Sequence, residues 1–204
     1  YNKDGKNLVI NEETAPVVQE IFELYSKSWG YQKIATHLNK KGIPTLVETT
    51  NVRDLLNANG WNYASSYKAS RFFVKDTLEK YSSLELIIDL HRDAVKKESS
   101  TTEINNKKYA KVLFVIGKEY KTYEKNLSVA NIINEKIKKK YPSLTRGVML
   151  KSGDNVNGIY NQDLNQNIIL MECGGNENTL EEVLNTLEII ADVIEEYLGE
   201  KNEA

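Results

Sequence analysis

From Leu84 onward, short apolar runs alternate with longer stretches of helical period. The runs "LELIIDLH" (Leu84–His91), "YAKVLFVIG" (Tyr109–Gly117), "RGVMLKS" (Arg146–Ser152) and "NIILMEC" (Asn167–Cys173) read as strands. A helix is predicted from about Lys125 to Lys140, and a last one from about Thr179 to Leu198. In the last helix Leu180, Val183, Leu187, Ile190 and Ile194 recur on one side, so that side is expected to pack on the sheet. Nearly all-apolar strands interleaved with helices predict an α/β fold, a mixed or parallel sheet covered on both faces by helices. The basic run "EKIKKKYP" reads as a solvated helix end whose lysines complement the helix dipole.

Before Leu84 the periods that can be read are helical. Asn11 caps a predicted helix near "EETAP", with Pro16 in its first turn and Val18, Ile21, Phe22 and Tyr25 on its apolar side. A second short helix carries Tyr31, Ile34, Ala35 and Leu38 and stops at "KKGIP", giving a helix-turn-helix-like pair. "NVRDLLNANG" reads as a short helix or turn, and Tyr67, Ser70, Phe73, Val74, Leu78 and Tyr81 mark a longer helix. The chain divides near Gly42–Leu46, into a helical segment 1–45 and an α/β domain 46–200.

Composition adds bounds. Hydrophobic residues make up 40% of 204 positions, enough for a packed core, and a net charge of -2 gives no general attraction to nucleic acid or anionic membrane. One cysteine, Cys173, excludes an internal disulfide and multi-cysteine zinc knuckles; it reads as a small buried side chain. No apolar stretch reaches the ~20 residues of a membrane span, and the polar opening "YNKDGKNLV" does not read as a signal peptide.

Candidate chemistry sits at the ends of two strands. His91 follows "LELIIDL", with Arg92 and Asp93 beside it, and Glu172 follows "NIILM". Functional side chains in open α/β sheets gather where strands end. An imidazole and a carboxylate on neighbouring strand ends either bind a divalent metal, act as general acid and base without one, or simply hydrogen-bond each other near the surface.

Several spaced stretches resemble the stage II sporulation protein P family of zinc-dependent N-acetylmuramoyl-L-alanine amidases: "NYASSYKASR", "IIDLHRDAV", "AKVLFVIG", "KNLSVAN", "YNQDL" and "LMECGGNENTLEEVLNT", in that order from Asn62 to Thr186. The resemblance runs from about Gly42 to the C-terminus. It implies a helix-covered sheet of the zinc amidase, phosphorylase/hydrolase-like type. It also implies a zinc ion (Zn2+) held by two histidines and a glutamate, with a metal-activated water attacking the amide between the lactyl group of muramic acid and L-alanine. In that scheme His91 is a metal ligand and Glu172 the catalytic carboxylate. Arg92 either binds a substrate carboxylate or braces the loop through Asp93. Asn126, Asn161, Gln162 and Asn178 are substrate or supporting groups, or else caps of helices and turns. The family further implies a peptidoglycan glycopeptide substrate, a lytic transglycosylase partner, and an extracytoplasmic, membrane-associated place at the sporulation septum.

The family's first strand should carry the other histidine and the glutamate of the metal site. The nearest substitutes here are His37 and Glu48, so the domain is expected to be incomplete at its N-terminal strand and impaired in catalysis, unless a swapped homodimer supplies that strand. The stretch from Asp4 to Thr45 instead resembles the opening of the DNA-binding domain of large serine recombinases. It carries 6 Lys+Arg against 5 Asp+Glu in the first 45 residues, a weak basis for gripping DNA. Two alternatives to an amidase therefore stand: a DNA-binding recombinase fragment, with nucleic acid as partner, and a cell-wall-binding protein that does not cleave.

Overall fold

A computed structural model describes residues 2–4, 7–9 and 29–203. Strands β1 (Asn2–Asp4) and β2 (Asn7–Val9) pair antiparallel. The helix expected from Asn11 onward, with Val18, Ile21, Phe22 and Tyr25, lies outside the described residues. Helices α1 (Trp29–Lys40), α2 (Val52–Ala58) and α3 (Ser66–Lys80) follow. Asn51 caps α2 by accepting from the Arg53 amide, and a 3-10 turn over Tyr63–Ser65 leads into α3.

The rest of the chain builds the main sheet from β3 (Ile87–Asp93), β6 (Val112–Gly117), β7 (Thr145–Lys151) and β8 (Ile168–Gly175), in the spatial order β3-β8-β6-β7. It is mixed: β3 and β8 run parallel, as do β6 and β7, while β6 and β8 are antiparallel. Between β3 and β6 stand the short helix α4 (Lys97–Ser100) and a hairpin of β4 (Thr101–Ile104) and β5 (Lys107–Ala110). The hairpin turns on Asn105 and Asn106, with φ of 51° and 61°. A two-residue turn with both centres left-handed matches strand twist, and asparagine tolerates that region better than most side chains. The single strand expected over Tyr109–Gly117 is thereby split between β5 and β6 (Val112–Gly117).

Helix α5 (Tyr123–Lys140) crosses from β6 to β7, and α6 (Leu180–Glu203) closes the chain. Both helices pack on one face of the sheet, where Ile133, Ile137, Leu187 and Ile190 meet Phe114, Ile116, Ile169 and Met171. Each such fully buried aliphatic side chain contributes roughly 1.5–3 kcal/mol. The expectation of helices on both faces is half met. On the second face Leu113, Val115 and Leu170 form a small cluster under Tyr67 and Tyr160, which is enough to bury β6 along its whole length. The rest of that face is left for a cleft.

Helix α1 lies against α6, and its Leu38 belongs to the same core as the sheet, with Ile43 packed against it. His37 and Lys41 reach Asp192, at 2.9 and 3.0 Å, and Lys41 also pairs with Glu195. His37, Leu38, Lys41 and Ile43 are thus part of the α/β unit's packing. The lysines of "EKIKKKYP" are not all solvated: Lys136 pairs with Glu196 and Glu200, and Lys140 with Glu196, which ties α5 to α6. Among the described residues no helix is long and apolar enough to cross a membrane.

Candidate functional site

In the parallel pair of β3 and β8, His91 stands opposite Glu172. Side chains alternate along a strand, so Asp89 and His91 share the face of Glu172, while Ile88, Leu90 and Met171 enter the helix-covered core. The two strand ends therefore do converge. They open into a cleft of about 290 Å³ on the second face, bounded by Tyr67 and Tyr160 on one side and by Arg146 and Lys151 of β7 on the other.

His91 is held from two directions. Its Nε2 lies 2.9 Å from Asp89 Oδ1, and the Tyr67 ring stacks parallel to it, centroids 6.2 Å apart. Tyr160 meets Tyr67 edge-on at 5.2 Å. Burial works against the imidazolium, but the Asp89 hydrogen bond and the charges of Asp89 and Glu172 outweigh it and raise His91 above its ordinary value. Burial also holds the Glu172 carboxyl above the usual carboxylate range; Asp93 and Asp89 push the same way, against His91 and Arg146. Glu172 Oε2 is buried and has no hydrogen-bond partner among the described residues. Glu172 also lines the cleft, and a half-buried carboxylate held above its usual range is suited to taking a proton from a bound molecule.

Of the other expected site residues Asp93 lines the cleft, while Arg92, Asn126, Asn161, Gln162 and Asn178 support it from behind. Arg92 donates through Nε to the Gly175 carbonyl (3.0 Å) and through Nη2 to that of Asn178 (2.7 Å) and again to Gly175. It braces the turn between β8 and α6 through backbone carbonyls, not through Asp93, which pairs with Arg146 at 2.7 Å. Asn126 is fully buried; its Nδ2 lies 2.8 Å from the carbonyls of Asn165 and Ile168 and 3.3 Å from that of Gln162. The Gln162 amide accepts from Gly117 N and donates to the Val115 carbonyl, both at 2.9 Å, and so fastens its loop to β6. Asn161 donates to the Tyr67 carbonyl and Ser70 Oγ and accepts from Arg71, which joins the loop to α3. Asn178 accepts from Gly175 N and Ser100 Oγ and donates to Thr101 Oγ1 and Glu182 Oε2. Each of these amides is committed to the protein itself.

Cys173 faces the core, away from Glu172, with its thiol pushed up to about 12 by burial. His37 sits on the far side of the sheet, paired with Asp192 of α6. Glu48 accepts from the Thr50 amide in its own turn. Four groups at the cleft were missed in the sequence: Asp89, Tyr67, Tyr160 and Arg146. Only Asp89 left a signal, two residues before His91 and hence on its face.

A zinc site of two histidines and a glutamate does not fit what is present. Among the described residues no three His, Cys, Asp or Glu side chains form a group able to hold a metal ion, and His91 Nε2 is engaged by Asp89.

No solved structure matches the chain. The Stage II sporulation protein P of Bacillus subtilis (strain 168) is 43% identical over 159 residues, covering 78% of this chain and 40% of that protein. The chain thus spans about two fifths of the relative's length. These comparisons give no support to a recombinase-like reading of residues 1–45. The family described as Stage II sporulation protein P matches residues 32–195, a span that starts inside α1 and takes in all four strands of the main sheet and the cleft on its open face, and the chain belongs to that family.

Proposed function

We propose that this chain carries the catalytic carboxylate of a sporulation peptidoglycan hydrolase, an N-acetylmuramoyl-L-alanine amidase. The observation that supports the reading most is the pairing of His91 and Glu172 side by side on two parallel strands, with Glu172 lining the cleft. Family membership supplies the sporulation context.

In this reading Glu172 takes a proton from water as the water oxygen adds to the amide carbonyl. It then returns the proton to the alanine nitrogen as the carbon–nitrogen bond breaks. Its raised proton affinity favours both the uptake and the return of that proton. Asp89 fixes the orientation of His91, and the Tyr67 ring covers it. The zinc ion that the family resemblance implies would need ligands other than those described, since His91 Nε2 lies 2.9 Å from Asp89 Oδ1, and no step here is routed through that ion. Action at the sporulation septum, outside the cytoplasm and beside a lytic transglycosylase, belongs to the same proposal.

The test is peptide release from purified peptidoglycan, with and without added zinc, read by mass spectrometry. Release of peptides with a new L-alanine amino terminus is expected from the parent chain, and none from Glu172→Gln. No release by the parent, or equal release by the variant, overturns the proposal; binding of glycopeptide without release would assign the cleft to a non-cleaving cell-wall binder.

A further inference from the structure

The two walls of the cleft differ. Strand β7 bulges where it passes β6: Val112 pairs with Thr145 and Phe114 with Val148, so Arg146 and Gly147 together face the single residue Leu113. From the bulge Arg146 reaches across the sheet to Asp93, 2.7 Å away, and is committed to the protein. The cleft itself holds about 290 Å³, the lower end of ligand pockets, so a glycopeptide engaged at Glu172 must extend beyond it.

The other wall leads outward. Tyr67, whose ring lies over His91, opens α3, and Tyr63 precedes it by four residues in the 3-10 turn that enters the helix. A spacing of four brings two side chains to one side of such a segment. Burial raises the proton affinity of the Tyr67 phenol, and Asp89, Tyr160, Glu172 and Tyr63 add to the effect, so Tyr63 shares the electrostatic neighbourhood of the cleft wall. The Tyr63 backbone is fixed, because its carbonyl accepts from the Ser66 amide and from Ser66 Oγ at 2.6 Å. Its ring is 88% exposed, and among the described residues the side chain makes no hydrogen bond, ion pair or ring contact.

A lone exposed tyrosine is ordinary; its position sets this one apart. Trp61, two residues earlier, stacks on Phe72 at 6.3 Å and carries Lys68 Nζ 3.9 Å over its ring, so those three side chains cover one another. Tyr63 stays out of that cluster and continues the line of Tyr160 and Tyr67 away from the cleft.

We propose that Tyr63 is a sugar-stacking rim: the pyranose ring of the muramic acid, on the lactyl side of the scissile amide, packs on the Tyr63 ring while the amide lies at Glu172. This rests on the amidase reading and names where the glycan half of the substrate is held. A pyranose presents a face of C–H bonds edged by hydroxyls. A solvated tyrosine offers an apolar ring with a polar tip, at the conformational cost of two side-chain torsions. Stacking of this kind needs no pocket, which suits a glycan strand too large for the cleft.

The test is calorimetric binding to the full chain carrying Glu172→Gln, so that no cleavage intervenes. The probes are N-acetylmuramoyl-L-alanyl-D-isoglutamine and D-lactoyl-L-alanyl-D-isoglutamine, which share the amide and the dipeptide and differ by the sugar. The sugar-bearing probe is expected to bind about tenfold more tightly, the size of one stacking contact. Adding Tyr63→Ala, which removes no packed side chain, should bring the two probes to near equality by weakening the sugar-bearing one alone. Tyr63→Phe and Phe72→Ala should each keep the difference. Equal binding of the two probes, binding of neither, a difference untouched by Tyr63→Ala, or one lost equally in Tyr63→Phe or Phe72→Ala overturns the rim. Peptide release from peptidoglycan by the parent chain, measured separately, then tells whether the hydrolase reading falls with it.

Discussion

Asn126→Ala gives a sharp test of whether the cleft loop is held from within the protein. The amide nitrogen serves three buried carbonyls, two at 2.8 Å and a third at 3.3 Å. Two hydrogens cannot fully satisfy three acceptors, so the structure contains two good bonds and a shared one. Truncation strands those carbonyls at roughly 1–3 kcal/mol for each good bond, or about 2–6 kcal/mol. Part of this returns, because Asn126 Oδ1 is itself buried without a partner and its burden of ~1–3 kcal/mol disappears. The net expectation is a loss of about 2 kcal/mol, large against the ~5–15 kcal/mol of a typical domain. Urea unfolding followed by circular dichroism measures it. Asn126→Asp should lose more, because a carboxylate set against carbonyl oxygens is repelled, and its deficit should grow as pH rises and the proton leaves. A loss under ~0.5 kcal/mol for Asn126→Ala, with substrate binding abolished, would refute this reasoning and return Asn126 to the role of a substrate contact.

Two further predictions concern the same face. Glu172 has a folded-state proton affinity above its ordinary value, so its contribution to stability is fully present below pH 4.5 and lost as pH rises through the raised value. Glu172→Gln escapes that loss, so the variant should melt higher than the parent at pH 7.5 and together with it near pH 4, without added metal; identical curves at both pH values would contradict the burial argument. At Gly117 a Cβ would fall on the backbone of Gly158 and Ile159, where a hydrogen bond from Glu119 N to the Gly158 carbonyl (2.9 Å) closes the loop. Gly117→Ala should therefore cost about 1–3 kcal/mol in urea unfolding, and an unchanged midpoint would show that the loop can move aside freely.

Much of the fold was legible because it is local. The helical period from Leu180 to Ile194 and the apolar runs of β3, β6, β7 and β8 report burial directly, and His91 and Glu172 stand out as polar residues where such runs end. What could not be read was long-range. Nothing in "NIILMEC" says that it inserts between β3 and β6, and that insertion brings the two residues side by side. The bulge that aims Arg146 depends on pairing with β6, and Tyr67 reaches His91 from a helix that precedes the sheet. Asn126, Gln162 and Asn178 were noticed, yet an amide reads the same whether it meets substrate or carbonyls. Asn105-Asn106 is a turn signal in the sequence, yet "YAKVLFVIG" looks like one strand until the break at Lys111 is known.

Strand β8 is anchored at each extremity. Ile168, its first residue, gives its carbonyl to Asn126, and Gly175, its last, gives its amide to Asn178. A carboxylate riding midway on so fixed a span has little freedom to follow an approaching bond. Alignment must then come from the incoming chain, and adaptability from the exposed turn at 152–157. Sequence drift should accumulate in that turn and leave the span untouched.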